Sequence, residues 1–126
     1  MSGVRFLKPL AGLGDTVDFE LTESDEVRGL YTLRSADGLR LFLIDADRTV
    51  PGYEPVFEES ELLAAFGSAE PAEFALLAVA TIGEEGLVAN LLAPIVLHRA
   101  SGTAAQIILR DDRWPVRAVL GSSRVA

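Results

Sequence analysis

The chain has 126 residues, no cysteine, and a formal net charge of −8 from 11 basic and 19 acidic side chains. That length suits one domain, residues 1–126, burying roughly two-thirds of the surface its unfolded chain exposes, and the missing thiols exclude disulfides, thiolate catalysis and cysteine-ligated metals. The acidic balance argues against direct binding of nucleic acid, whose phosphates need a cationic surface, and no apolar run is long enough for a signal peptide or a membrane span, so the reading is a soluble, cytoplasmic protein.

Most of the chain reads as β-structure. Val4-Arg5-Phe6-Leu7 alternates apolar and polar, Pro9 to Gly14 supplies turn residues, and Val17-Asp18-Phe19-Glu20-Leu21 alternates again. An acidic turn at Glu23–Glu26 leads to Leu30–Leu33, and Ala36-Asp37-Gly38 marks a tight hairpin because Asp-Gly tolerates positive φ. Leu39–Ile44 is apolar on both faces in its middle, as a central strand is. Asp45 to Pro55 is expected to be a loop bending at Pro51-Gly52. One short helix follows, with Ser60 as its cap, Glu59 and Glu61 at the positive end of its dipole, and Gly67 at its C-terminal stop. Phe74–Ile82 is a long apolar strand and Gly83-Glu-Glu-Gly86 its turn. Six to eight short strands with one helical insertion imply a mainly β fold, a small antiparallel β-barrel.

The segment Val88-Ala-Asn-Leu-Leu-Ala-Pro-Ile-Val-Leu-His98 stands apart. Its Asn90 is the only asparagine of the chain, and Gln106, in the following strand Ala105–Leu109, the only glutamine. A buried amide left unpaired costs roughly 1–3 kcal/mol, so each needs a defined partner, within the fold or on another protein. Pro94 cannot donate to a strand ladder. The segment therefore reads as a bent strand, Val88–Leu92 on one side and Ile95–Leu97 on the other, with a bulge between them.

Little here supports catalysis. His98 is the only histidine, lacks a nearby nucleophile, and reads as a partly exposed residue at a strand end. Ser122-Ser123 lies outside any nucleophile elbow, and no glycine pattern matches a phosphate loop. Asp45, Asp47 and Glu54 lack the glycine and terminal glutamate of a calcium loop. The pairs Glu58-Glu59, Glu84-Glu85 and Asp111-Asp112 read as solvated turns and helix starts. Phe6, Phe19, Phe42, Phe66 and Phe74 read as core, while Trp114 is either a packing lid or part of an interface. From His98 onward there are five arginines and two acids, against six bases and 17 acids before it. A binding protein, not an enzyme, is the reading that remains.

Asn90-Leu-Leu-Ala-Pro-Ile-Val-Leu-His-Arg99, followed by Gln106-Ile-Ile-Leu109, resembles the signature of the FliW family of flagellar assembly factors. Leu33-Arg34-Ser35 before Leu41–Ile44, Tyr53-Glu54, and Trp114-Pro-Val-Arg117 are similar to further pieces of that family. The resemblance implies a small β-barrel and a cytoplasmic protein that binds flagellin before export. When free, such a protein binds and antagonises CsrA, a small RNA-binding regulator that represses flagellin translation. Two departures stand out. Family members usually carry an extra hairpin ahead of the region matched by Phe6 to Gly14, absent or reduced here, and Thr49-Val50 replaces a common phenylalanine pair.

The expectation is therefore no cofactor and no metal, contact with neither nucleic acid nor membrane, and a monomer when free. The candidate partner-binding residues are Asn90, Pro94 and Gln106, with Asp45, Asp47, Glu54, Glu58 and Glu59 as acidic contacts to CsrA. For Asn90 and Gln106 a bond to a bulged backbone is the competing reading. The alternative function is a small barrel for a flavin-type ligand, which needs a phosphate-binding cluster of the kind only Arg99 to Arg113 offers.

Overall fold

Alternating burial builds the first half of the chain. Val4 and Phe6 of β1 (Ser2–Phe6), Phe19 and Leu21 of β2 (Asp18–Glu23) and Leu33 of β3 (Leu30–Arg34) are buried, while Arg5, Glu20 and Arg34 face out. The computed structural model describes residues 2–10, 12–84, 86–110 and 113–120. Glu85, Asp111, Asp112, Ser122, Ser123 and Arg124 lie outside the described residues.

β1, β2, β3 and β4 (Arg40–Asp45) form an antiparallel meander, with Gly38 at φ 99° in the Asp37-Gly38 turn as its sequence demands. β4 pairs with β5 (Phe74–Gly83), β5 with β7 (Ile95–His98), and β7 with β8 (Thr103–Gln106), all antiparallel. β8 then returns beside β1 with Arg5 opposite Thr103, and this pair is parallel. The seven strands close a mixed barrel, so the expected barrel is present with one parallel seam. β6 (Gly86–Ala89) and β9 (Ala118–Val119) extend the sheet from the far end of β5.

Two apolar clusters hold this architecture. Inside the barrel, Val4, Phe6, Phe19, Leu33, Leu43, Leu77 and Ile95 fill the lumen, Phe6 and Phe19 meeting edge to face at 5.5 Å. The second cluster lies on the outside of β4 and β5. Leu43 and Leu77 point inward, whereas Ile44, Ala78 and Ala80 point outward and are just as buried. Strands apolar on both faces need a second cover, and Tyr53, Leu91, Leu109 and Trp114 provide it. Trp114 is thus a lid, half-buried against Tyr53.

The segment expected as an Asp45–Pro55 loop contains a helical turn, α1 (Ala46–Thr49), capped by the Asp45 side chain, which accepts from the Arg48 N–H at 3.3 Å. The predicted helix is α2 (Glu59–Phe66), ended by Gly67 at φ 75°. Ser60 does not cap it. The Glu58 carbonyl accepts from Glu61 and Leu62 at 3.0 and 3.2 Å, so the helix starts earlier and Ser60 sits inside its first turn. A short 3-10 turn, Pro71–Glu73, leads into β5. β8 stops at Gln106 rather than reaching Leu109, because the N–H groups of Ile107 and Leu109 bond elsewhere. Phe6 and Phe19 are fully in the core, but Phe42, Phe66 and Phe74 are only half-buried.

Candidate functional site

The bend predicted around Pro94 is present. β6 and β7 both pair with β5, Ala89 opposite Ala80 and Ile95 opposite Leu77. The five residues from Asn90 to Pro94 therefore stand against only two residues of β5. An excursion of this kind frees backbone groups that must find partners elsewhere, and nearly all of them do. The Asn90 N–H donates to the Val79 carbonyl at 2.9 Å and the Leu91 N–H to Pro115 at 3.0 Å. Asn90 Oδ1 accepts from the N–H groups of Leu92 and Ala93, both at 3.1 Å. The Leu92 and Pro94 carbonyls accept from Leu109 and Ile107 at 2.8 and 2.9 Å. Gln106 Nε2 donates to the Ala93 carbonyl at 3.2 Å. The two unique amides of the chain thus serve one stretch of backbone. Pro94 is fully buried where a donor is not needed.

The remaining carbonyl of this segment with a side-chain partner, Leu91, accepts from the buried Tyr53 hydroxyl at 2.6 Å. Burial pushes the Tyr53 phenol well above its ordinary 10.0. The Tyr53 ring packs edge to face on Trp114 at 4.8 Å. Tyr53 also lines a surface cleft of about 490 Å³, so one side chain links the bend to the cleft.

The cleft lies between α2, the turn before β5, and the outer face of the barrel. Phe57, Leu62, Phe74, Leu76 and Val96 give it an apolar floor, with Pro55, Ala69, Pro71 and Ala75 around it. Leu76 and Val96 are directly opposite across the β5–β7 ladder. Its charged lining is Asp47, Glu54 and Glu59, with no lysine or arginine. No ion pair among the described residues engages these three acids. The stretch from Ala46 to Glu73 carries seven acids and a single base, Arg48. Three of the five acids singled out in the sequence therefore meet at one place. The other two are used otherwise: Asp45 caps α1 and pairs with Arg48 at 3.8 Å, and Glu58 pairs with Arg110 at 3.0 Å. Asn90, Pro94 and Gln106 do not line the cleft.

His98 ends β7 and is buried, at 8% exposure, not partly exposed as expected. Its Nε2 lies 2.9 Å from Glu73 Oε1 and its Nδ1 2.8 Å from Ser101 Oγ. A carboxylate only accepts, so Nε2 carries the proton toward Glu73. Hydrogen bonds from His98 first, then Ser68, hold the Glu73 carboxyl below its ordinary 4.5. Phe66 and Phe74 pack on the imidazole, at 6.0 and 5.0 Å between ring centres. This network fastens α2 and the edge of the cleft to the barrel, with the Ser101 hydroxyl at its exposed end.

The sequence reading missed the floor of the cleft. The signal was the run Phe74–Ala80, apolar on both faces: a surface strand of that kind needs a cover, and α2 covers only part of it. Among the described residues no group of three or more acidic or histidine side chains is arranged to hold a metal, and no helix is long and apolar enough to cross a membrane.

A family model described as FliW protein matches residues 2–120. The flagellar assembly factor FliW of Campylobacter lari is 31% identical over 112 residues, covering 85% of this chain and 82% of that protein. The proteins of the same name from Syntrophus aciditrophicus and Symbiobacterium thermophilum are 34% and 39% identical over 84 and 80 residues, which cover 64% and 60% of this chain. The chain spans about half the length of these two, 52% and 56%. A crystal structure of the flagellar assembly factor FliW superposes with a TM-score of 0.83 at 24% identity, covering 94% of this chain and 85% of that one.

Proposed function

From the premise that this chain belongs to the FliW family of flagellar assembly factors, we propose that it binds flagellin in the cytoplasm and, when free of it, binds and antagonises CsrA, relieving repression of flagellin synthesis. The observation that carries this reading is a family match running almost end to end, from residue 2 to 120, on a barrel of the same fold. The acidic body is physically consistent with it. A net charge of −8 speeds encounter with a basic RNA-binding partner and repels RNA itself. The protein acts by exclusive binding as a monomer, without chemistry on a substrate, cofactor or metal.

Within this proposal, Asn90, Pro94 and Gln106 act on partners through the shape of the bend, whose backbone they already hold. Asp47, Glu54 and Glu59 supply contacts, and Asp45 and Glu58 flank them. The flavin-ligand alternative is less well supported. The lumen is filled by side chains, and the open cleft has no cation for a phosphate.

Co-purification from a lysate containing the source organism's flagellin, followed by competition with purified CsrA, tests the proposal. Capture of flagellin at low salt and its displacement by CsrA are expected. Capture of neither protein sinks it.

A further inference from the structure

The cleft beside α2 combines an apolar floor with an acidic rim. Its floor is apolar: Phe57, Phe74 and Leu76 are half-buried, and Leu62 and Val96 lie buried among them. Its rim carries Asp47, Glu54 and Glu59 without a countercharge. Apolar surface next to it is also uncovered: Val56 is 77% exposed and Leu63, on α2, 49%. Exposed apolar surface within a polar rim marks a docking surface. The charge chooses among occupants. A phosphate-bearing cofactor or an anionic membrane surface meets three uncompensated carboxylates and is repelled. A second copy docking through the same cleft face brings three carboxylates against three and is repelled as well, since like charges brought together across an interface cost several kcal/mol.

We propose that this cleft docks a segment of a partner protein that places large apolar side chains on the floor and lysines or arginines against Asp47, Glu54 and Glu59. The proposal rests on the family reading for the existence of a protein partner, and adds where that partner sits and what chemistry it presents. The apolar anchors supply most of the affinity, as buried side chains do at the centre of an interface. The exposed acids act mainly on association rate and on choice of partner, so binding weakens as salt rises. Tyr53 joins this site to the bend: its ring lines the cleft and its hydroxyl holds the Leu91 carbonyl.

The test uses the full chain and a fluorescein-labelled amphipathic peptide of leucine and lysine, followed by anisotropy. A leucine–glutamate peptide and a serine–lysine peptide are the controls. Two variants attack the site independently. Ala69→Trp fills the cleft, and Glu54→Lys/Glu59→Lys reverses its rim at exposed positions, with circular dichroism confirming that each variant is folded. Glu20→Lys/Glu84→Lys makes the same change of net charge away from the cleft. The expected result is that only the leucine–lysine peptide binds wild type, that both cleft variants weaken it about ten-fold or more, and that the remote reversal leaves it within about two-fold. Equal weakening by the remote reversal, or undiminished binding to both cleft variants, overturns the proposal. A change in the sedimentation of the chain alone on Ala69→Trp makes a second copy the occupant and overturns it too. Flagellin and CsrA capture separates this outcome from the family reading. If wild type and both cleft variants capture them equally, the cleft assignment fails and the family reading stands. If wild type captures neither yet binds the peptide through the cleft, the cleft stands and the family reading fails.

Discussion

The bend at Asn90–Pro94 and the cleft beside α2 lie on the same outer side of the barrel and treat polar groups in opposite ways. In the bend, backbone donors and acceptors are matched by Asn90, Gln106, Tyr53 and neighbouring main chain. In the cleft, three carboxylates surround open apolar surface and have no ion pair among the described residues. A satisfied polar network specifies one shape. An unsatisfied charged rim costs little in water and leaves its interactions for something else. The two regions meet at Tyr53: Asn90, Pro94 and Gln106 serve the backbone of the bend and stay out of the cleft, whereas Tyr53 serves the bend and lines the cleft as well.

The comparison breaks most visibly at Asn90. Asn90→Ala removes one acceptor from two backbone N–H groups, at roughly 1 kcal/mol each, for a loss of about 2 kcal/mol. A fall in melting temperature of roughly 6–12 °C is expected, with partner affinity of the still-folded protein unchanged at lower temperature. A large loss of affinity with an unchanged melting temperature reverses the roles of bend and cleft.

Tyr53→Phe is the next largest change. It leaves the Leu91 carbonyl without its donor inside a buried site, for a cost of about 1–2 kcal/mol. It also alters the alkaline limb. Burial keeps the Tyr53 phenol protonated well above 10.0 in the folded chain, whereas the unfolded chain releases that proton near 10.0. The unfolded state therefore binds fewer protons there, and stability falls as pH rises past about 10. Denaturant midpoints measured from pH 8 to 11 are expected to fall less steeply in Tyr53→Phe than in wild type. Tyr31, raised chiefly by its own burial, keeps part of the slope.

A smaller effect is expected at acid pH. The Glu73 carboxyl is held below its ordinary 4.5 by His98 and Ser68. Its contribution is complete above that ordinary value and is lost as pH falls through the lower, folded one. Glu73→Gln is expected to flatten the acid limb of thermal stability below about pH 4.5, while leaving the neutral baseline nearly in place because the amide still accepts from His98.

The smallest effect on stability belongs to the cleft. Glu54→Gln and Glu59→Gln are expected to change the unfolding free energy by less than about 0.5 kcal/mol. Urea midpoints read this directly. A large stabilisation by either substitution would mean that rim repulsion strains the fold, and the contrast with the bend would narrow.

Much of the barrel was legible because its strands are short and half-buried. Val4, Phe6, Phe19, Leu21 and Leu33 alternate with polar neighbours, and each is buried where alternation puts it. The bend was legible because proline and asparagine have few places in a strand. The α2 start was displaced because the Glu58 carbonyl accepts its first bonds, which puts Ser60 inside the first turn and not at the cap. The burial of His98 was missed because its cover comes from Phe66, Phe74 and Glu73, all distant in sequence. The cleft was half legible. Its acids stand out in the sequence, but Val96 reaches it only through the β5–β7 register, and no local pattern reports a register between distant strands.

The parallel seam between β1 and β8 has a consequence for how the chain is made. β1 leaves the ribosome first, and its second neighbour, β8, is complete only once Gln106 has been added. Until then β1 keeps one edge open, and β4, apolar on both faces, keeps its own open until β5 has been added. Open edges of this kind invite pairing between nascent chains. Closure by a late, sequence-distant strand also makes for slow folding at a given size. Glu20, Glu23, Asp25 and Glu26 sit along this waiting sheet, and like charges placed there disfavour edge-to-edge pairing between half-made copies.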